Sequence, residues 1–164
     1  MSSHRSSTAA GPTHEVGESA EQAARRAIMS ICTSAKGDEL DAVIAATAPS
    51  LAADDLRPVE SGLVMLRGRM GGDGRPFNLG EATVTRAAVV LRDGRTGFAY
   101  QLGRDSLKAR AAAIIDALWQ GEERAAVENA LAPVRRRLAD GAAQQARRTA
   151  ATRVNFFTMV RGED

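Results

Sequence analysis

A turn signal, Asp93-Gly94, constrains the fold of this chain more than any other local feature. Residues 82–91 (ATVTRAAVVL), just before the turn region, are rich in β-branched side chains and favour a strand. After the turn, every second position belongs to one face of a returning strand: Thr96, Phe98, Tyr100 and Leu102. Asp-Gly is a pair favoured by type I′ turns, in which both central residues take positive φ. The sequence therefore predicts an antiparallel hairpin that turns at Asp93-Gly94.

An earlier strand extends this hairpin into a predicted central antiparallel sheet. Residues 59–66 (VESGLVML), which follow Pro58, have the composition of a strand. A glycine-rich stretch, residues 68–81 (GRMGGDGRPFNLGE), separates this strand from residues 82–91. Clustered glycine is typical of turns and loops. We therefore expect a glycine-rich loop to join the two strands.

Helical periodicity precedes the sheet. Residues 15–48 predict a helical hairpin whose first helix begins near Ser19. The apolar face of that helix is formed by Ala24, Ile28, Ile31, Cys32 and Ala35. We expect Gly37 to end it in the left-handed conformation, because glycine adopts positive φ at little cost. Asp38 is then the expected cap of the second helix.

Helical periodicity also follows the sheet. Asp105 is a good N-cap for a helix with a core-facing stripe, formed by Leu107, Ala111, Ile114, Ile115 and Leu118. Two further helices are expected, the last of them beginning at Pro133 and running through Ala151. The apolar stripe of that last helix is thin after Leu138, so we expect it to lie on a partner.

The two ends of the chain differ in character. Residues 1–17 are rich in Ser, Thr, Gly and Pro, and we expect a disordered leader. Residues 154–160 (VNFFTMV) predict a terminal apolar strand, either folded back into the chain's own sheet or added to a neighbour's sheet. The predicted fold class is α+β, with an N-terminal helical hairpin, a central antiparallel sheet, C-terminal helices and this terminal strand. Residues 18–164 are expected to form a single domain.

The predicted domain is poor in side chains that serve catalysis or metal binding. The histidines, His4 and His14, both fall in the leader, so the domain offers neither a Ser-His-Asp triad nor a histidine metal ligand. The lone cysteine, Cys32, lies on an apolar helix face, where we expect an inert buried thiol. We therefore predict no catalytic and no metal-binding residue. No run of about 18 apolar residues and no secretory signal is present, which predicts no membrane contact and a cytoplasmic location.

Charge is unevenly spread along the chain, although the formal net charge is only +2. Residues 1–56 carry four basic and eight acidic groups, residues 57–132 eleven and nine, and residues 133–164 seven and three. We interpret this segregation as typical of a chain that docks onto partner subunits. The alternative is a small Arg-rich nucleic-acid-binding module, suggested by Arg135–Arg137. The small excess of positive charge and the absence of an aromatic base-stacking motif argue against a nucleic-acid partner.

The glycine-rich loop is the one candidate ligand site. Backbone amides near its glycines can face a phosphate, and neighbouring arginines can hold its charge. The candidate ligand-binding residues are Arg69, Gly71, Gly72, Arg75 and Arg86. The loop is neither a P-loop, since no Lys-Ser/Thr pair follows it, nor a dinucleotide fingerprint, since Phe77 stands at the third glycine position. The alternative interpretation is a plain hairpin loop whose arginines form ion pairs on a solvated face.

Four segments in order resemble one known family. They are residues 61–91 (SGLVMLRGRMGGDGRPFNLGEATVTRAAVVL), Gly103-Arg104-Asp105, residues 115–118 (IDAL) and residues 153–164 (RVNFFTMVRGED). Together they resemble PhnG, a subunit family of the bacterial carbon–phosphorus lyase system. The chain departs from the family pattern at Asn155, where the family usually has Asp, and at Lys108 and Arg110, where it often has His and Glu.

This resemblance implies a role in a multi-subunit enzyme. PhnG proteins act with PhnH, PhnI and PhnJ in a core complex in which an alkylphosphonate displaces adenine from ATP, giving an α-D-ribose 1-phosphonate 5-triphosphate. ATP and the phosphonate are then substrates of the complex, and this chain is expected to bind no cofactor. An iron–sulfur cluster and S-adenosylmethionine belong to a partner subunit, which cleaves the C–P bond later. The resemblance implies a structural or site-shaping subunit, with a partner interface expected at Phe156, Phe157, Met159 and Arg161.

Overall fold

The computed structural model describes residues 18–71 and 74–152. This part of the chain forms five helices and three strands. In chain order they are α1 (Ala20–Ser34), α2 (Gly37–Thr47), β1 (Ala53–Arg69), β2 (Pro76–Leu91), β3 (Thr96–Leu102), α3 (Ser106–Trp119), α4 (Arg124–Ala130) and α5 (Ala132–Ala151). The predicted α+β class, with helices before and after an antiparallel sheet along the chain, is confirmed. The predicted leader and the predicted terminal strand lie outside the described residues.

The start of α1 is confirmed, whereas its end differs from the prediction. Ser19 and Gln22 form a reciprocal capping box, in which the Ser19 hydroxyl accepts the Gln22 amide at 3.1 Å and the Gln22 side chain accepts the Ser19 amide at 2.9 Å. Gly37 is the first residue of α2 and has no positive φ. The expected cap at Asp38 is also wrong. The N-cap is Lys36, whose amide is accepted by the Glu39 carboxylate at 2.8 Å.

The sheet is antiparallel with the strand order β1-β2-β3. β1 begins at Ala53, ahead of the predicted start after Pro58. A proline is tolerated there because β1 is an edge strand and its register with β2 shifts between Asp55 and Arg57 and between Arg57 and Glu60. The interrupted ladder needs no amide hydrogen from the proline.

The predicted hairpin at Asp93-Gly94 is confirmed, but its turn type is not I′. Gly94 has a φ of +87°, and within the described ranges no residue other than glycine has a positive φ. The Gly94 amide donates to the Leu91 carbonyl at 3.0 Å, and the Leu91 amide donates to the Arg95 carbonyl at 2.9 Å. This is the pattern of a type I turn followed by a left-handed glycine. Asp93 favours it, because its carboxylate accepts the Arg95 amide at 3.0 Å.

The core lies between one face of the sheet and α3, with α1, α2 and α4 around it. Four of the predicted stripe residues of α3 are buried: Ala111, Ile114, Ile115 and Leu118. The fifth, Leu107, is 81% exposed, because it lies in the first turn of α3, outside the cluster that packs on the sheet. The indole of Trp119 is fully buried and donates to Glu128 at 2.9 Å.

A charged pair ties the helices to β3. Arg25 of α1 holds the buried carboxylate of Asp116 in a two-pronged contact, with N–O distances of 2.7 and 2.6 Å. Asp116 also accepts the Phe98 amide of β3 at 2.9 Å. The hydrogen bond to Asp116 raises the pKa of Arg25. One buried carboxylate therefore connects α1, α3 and the outer edge of the sheet.

Candidate interaction surface

Two strands of the sheet run well beyond the third. β3 pairs only with residues 84–90 of β2, whereas β1 and β2 stay paired out to Arg69 and Pro76. We call residues 63–69 of β1 and 76–82 of β2 the ribbon. At a rise of about 3.3 Å per residue it is about 20 Å long. Nearly all of its residues are exposed, so the helices that cover the rest of the sheet do not cover it.

The ribbon carries large apolar side chains on both of its faces. Leu63 is 64% exposed, Met65 59% and Leu79 62%, and these share one face with Phe77. Val64 and Leu66, on the opposite face, are also exposed. Successive strand residues point to opposite faces, so a run of apolar residues such as 63–66 places apolar groups on both. A strand with one solvated face would carry polar residues there.

The apolar surface continues from the ribbon onto the open face of the sheet. Gly62, Val84 and Leu102 form one cross-strand row at the base of the ribbon. Leu102 is 77% exposed, and Phe98 and Tyr100 of the same strand face are exposed as well. The helices pack on the other face of the sheet, and none of them covers these three side chains.

Three of the predicted ligand-binding residues meet at the tip of the ribbon. Arg69 ends β1, Arg75 directly precedes β2, and Gly71 between them has a φ of +66°. The loop is tight, since the Gly74 amide donates to the Met70 carbonyl at 3.2 Å. Gly72 lies outside the described residues. A ligand role for this tip stays a prediction.

Arg86 does not join the tip. It lies ten residues from Pro76 along β2, which corresponds to about 30 Å of strand. Its guanidinium contacts the Glu60 carboxylate at 2.9 and 2.8 Å. Hydrogen bonding to Tyr100, and then the charge of Glu60, raises the pKa of Arg86. Arg86 therefore forms an ion pair on the surface of the sheet, as the alternative interpretation expects.

Charge at the ribbon tip is unbalanced within the described residues. Within residues 18–71 and 74–152, no carboxylate lies within 4.0 Å of the guanidinium of Arg67, Arg69 or Arg75. Within the basic run on α5, Arg137 forms a two-pronged pair with Glu39 at 2.7 Å for both contacts. Hydrogen bonding to Arg137 lowers the pKa of Glu39, so this pair is charged at neutral pH. Arg137 is thus engaged within the fold and is withdrawn from the candidate nucleic-acid surface at residues 135–137.

The described residues form no metal centre and no reactive thiol. Residues 18–71 and 74–152 contain no group of three or more His, Cys, Asp or Glu side chains able to hold a metal ion. Cys32 is fully buried, and desolvation raises the pKa of its thiol to about 12. A thiol with that pKa is a poor nucleophile at neutral pH. In the part of the chain that the structure covers, no helix is both long and apolar enough to cross a membrane.

Comparison with known proteins assigns the chain to a family. The family model described as phosphonate metabolism protein PhnG matches residues 23–162. The chain belongs to the PhnG family. It is also similar to the alpha-D-ribose 1-methylphosphonate 5-triphosphate synthase subunit PhnG of Rhizobium meliloti (strain 1021), with 56% identity over 110 residues. That alignment covers 66% of this chain and 70% of the relative. The resemblance drawn from the four sequence segments is confirmed.

Two departures from the PhnG pattern have structural roles here. The Lys108 ammonium donates to the Thr33 carbonyl at the end of α1, at 2.7 Å. Arg110 donates to the Asp55 carboxylate and to the Ala53 carbonyl at the start of β1, both at 2.7 Å. Both side chains therefore connect α3 to neighbouring elements. Asn155, the third departure, lies outside the described residues.

Sequence reasoning did not find the ribbon as a surface. It placed residues 68–81 in a glycine-rich loop, which is wrong because β1 runs to Arg69 and β2 begins at Pro76, so most of the ribbon falls in the predicted loop. Exposed and buried strands also share the same apolar, β-branched composition. One feature of the sequence does indicate the ribbon. Residues 63–66 are all apolar and place large side chains on both faces of the strand, whereas a strand packed on one side carries polar residues on the other.

Proposed function

We propose that this chain is a subunit of an alpha-D-ribose 1-methylphosphonate 5-triphosphate synthase. The observation that carries the proposal is the 56% identity to a curated PhnG subunit of that synthase. Its exposed ribbon supports the same proposal, because a subunit buries such a surface against its neighbours. We place the complex in the cytoplasm, where ATP is available.

In the proposed reaction an alkylphosphonate oxygen displaces adenine from the ribose of ATP. The bond between the ribose C1 and the adenine nitrogen breaks, a C1–O bond to the phosphonate forms, and the 5-triphosphate is kept. PhnH, PhnI and PhnJ are the proposed partners, and the nucleobase-displacing groups belong to them. The iron–sulfur cluster and S-adenosylmethionine of the later C–P cleavage also belong to a partner. This chain supports the site by holding subunits in place.

The division of labour fits the chemistry of the described side chains. Cys32 is buried, and the two-pronged contacts of Arg25 and Arg137 hold carboxylates within the fold. Displacement at a ribose carbon needs groups that stabilise developing positive charge and protonate the leaving base. Two carboxylates that could do so, Asp116 and Glu39, are already bound to arginines. We therefore assign these two groups to structure and the displacement chemistry to the partner subunits.

Adenine release tests the proposal directly. The full set of synthase subunits, the set without this chain, and this chain alone are each incubated with ATP and methylphosphonate. A reaction without phosphonate controls for ordinary loss of the base. We expect release by the full set, little release without this chain, and none by the chain alone. Full activity of the isolated chain would show that catalysis resides here, and full activity of the set lacking it would refute a required role.

A further inference from the structure

The ribbon lacks the cover that a strand pair needs. A two-stranded hairpin by itself is marginally stable in water, and this one extends about 20 Å past the last residue that β3 supports. Its two strands hold each other through an unbroken run of pairs from Leu63↔Thr83 to Leu66↔Gly80. Hydrogen bonding thus defines its shape, while its large apolar side chains stay exposed among the described residues, 18–71 and 74–152.

We propose that the ribbon is a docking arm that inserts into an apolar cleft of another synthase subunit, with carboxylates at the far end of that cleft. The inference rests on the proposed function, since it takes the partner from the same complex. It adds which surface of this chain makes the contact, and which chemistry the contacting surface of the partner has.

Insertion into a cleft is favoured over contact with a flat surface because both faces of the arm are apolar. Leu63, Met65 and Leu79 need cover on one side, and Val64 and Leu66 on the other. A flat partner would leave one of these two sets in water. A cleft with two apolar walls buries both.

The size of the arm sets the extent of the interface. With a strand spacing of about 4.8 Å, the two faces of the ribbon offer on the order of 400 Å². A stable interface takes about 800 Å² from each partner. The open sheet face at Phe98, Tyr100 and Leu102 continues the apolar surface at the base of the ribbon and supplies further area. We therefore assign both the ribbon and this face to the same interface.

The charge of the ribbon tip indicates the chemistry at the far end of the partner's cleft. Arg67, Arg69 and Arg75 lie around the tip, and together with Asp73 they give residues 67–75 a formal charge of +2 (three arginines and one aspartate). Carboxylates on the partner would complement them and steer the approach. A second copy of this chain is a poorer occupant, because a symmetric contact between two tips would bring like charges together.

Incorporation into the complex tests the arm. The subunits are expressed together with a tagged copy of this chain, either wild type or the double variant Leu63→Ser, Leu79→Ser, and the partners that co-purify are quantified. Leu107→Ser is the matched control, since Leu107 is 81% exposed but lies on α3, away from the ribbon. We expect the double variant to lose at least tenfold of its partners and Leu107→Ser to lose none. Retention of the partners by the double variant would overturn the proposal.

A charge variant keeps the test independent of folding. Arg69→Glu, Arg75→Glu changes only exposed groups, and Arg92→Glu, exposed at the opposite end of β2, is its control. We expect the tip variant to dissociate from its partners at a salt concentration that leaves wild type and Arg92→Glu assembled. Equal salt resistance of all three proteins would contradict the carboxylate-lined cleft.

Cross-linking identifies the occupant. A photo-reactive phenylalanine analogue at position 77 is expected to link to one partner subunit, in a peptide that contains Asp or Glu among apolar residues. The same analogue at position 107 is expected to link to none. A link to a second copy of this chain would overturn the choice of partner. Failure of the wild-type chain to co-purify with any subunit would instead contradict the proposed function, so the two failures are distinguishable.

Discussion

The two halves of β2 form the same ladder with β1 but lie in different surroundings. In the packed half, residues 84–91 with β3 and α3, the side chains of Ala87, Val89 and Leu91 are buried beneath helices. In the ribbon, residues 76–82 of the same strand are mostly exposed. The packed half is hydrogen-bonded to β1 on one side and to β3 on the other, whereas residues 76–82 pair only with β1. A second neighbouring strand and the cover of the helices distinguish the two halves, so the stability of the chain resides in the packed half and the ribbon is left for binding.

The largest expected contrast is in thiol reactivity. Cys32 belongs to the core of the packed half, and burial raises the pKa of its thiol to about 12. A cysteine at the exposed ribbon position 79 is neither buried nor raised in pKa by burial. In the Leu79→Cys variant at pH 8 we expect the introduced thiol to react at the rate of a free thiol. Cys32 should react on the order of a thousandfold more slowly, since its labelling requires opening of the core.

The pH dependence of this labelling sharpens the contrast. The folded state holds Cys32 as the neutral thiol, so its contribution to stability is complete below the pKa of an unfolded thiol. That contribution is lost as the pH rises towards about 12. We therefore expect slow labelling of Cys32 from pH 7 to about pH 9 in mass-spectrometric assays. Rapid labelling of both thiols at pH 8 would show that the packed half is no better protected than the ribbon.

Asp116→Ala removes the buried carboxylate of the packed half. We expect it to lower the free energy of unfolding by about 3 kcal/mol. The change leaves the Arg25 guanidinium and the Phe98 amide without the oxygens that they contact at 2.6–2.9 Å. The matched control is Glu60→Ala, which breaks the exposed pairs to Arg57 and Arg86. We expect it to change stability by less than about 1 kcal/mol. Urea denaturation followed by circular dichroism measures the stability of both variants. Equal losses of stability would contradict the distinction between the buried carboxylate and the exposed one.

Two glycines give a smaller contrast of the same kind. A Cβ at Gly97, in β3, would collide with the Ala113 carbonyl and the Ala117 amide of α3. We therefore expect Gly97→Ala to lower the free energy of unfolding by about 2 kcal/mol. At Gly62, at the base of the ribbon, a Cβ would meet nothing within 4 Å. Gly62→Ala should stay within about 0.5 kcal/mol of wild type. Thermal unfolding of both variants tests this, and a tolerated Gly97→Ala would mean that α3 lies further from β3 than described.

Local signals predicted the elements of this fold well. Ser19 and Asp105 start helices through side chains that bond the backbone three residues ahead, so their effect is contained in a few residues of sequence. The hairpin at Asp93-Gly94 is equally local. Its turn type was wrong because Asp93 bonds the Arg95 amide and keeps a negative φ, a choice that the dipeptide alone does not determine.

Tertiary cover could not be predicted in the same way. Residues 63–66 and residues 84–91 have similar strand composition, yet only the second group lies beneath helices. Arg86 stands close to the glycine loop in sequence, but a straight strand carries it about 30 Å away. The candidate ligand set was therefore separated by strand length, and the interaction surface was missed because nothing in a strand pattern states how far a helix extends over it.

The smallest expected effect lies where the packed half passes into the ribbon. Gln101 of β3 is paired with Thr85 of β2 and is 1% exposed, and both polar atoms of its side chain are buried with no hydrogen-bond partner among the described residues. An unsatisfied buried amide is destabilising, and an apolar group of the same shape removes that penalty. We expect Gln101→Met to raise the free energy of unfolding by about 1 kcal/mol. Gln145→Met on exposed α5 is the control and should leave stability unchanged. A loss of stability in Gln101→Met, measured by urea denaturation, would show that the amide has a partner in solution, and that the boundary of the packed half is hydrated as the ribbon is.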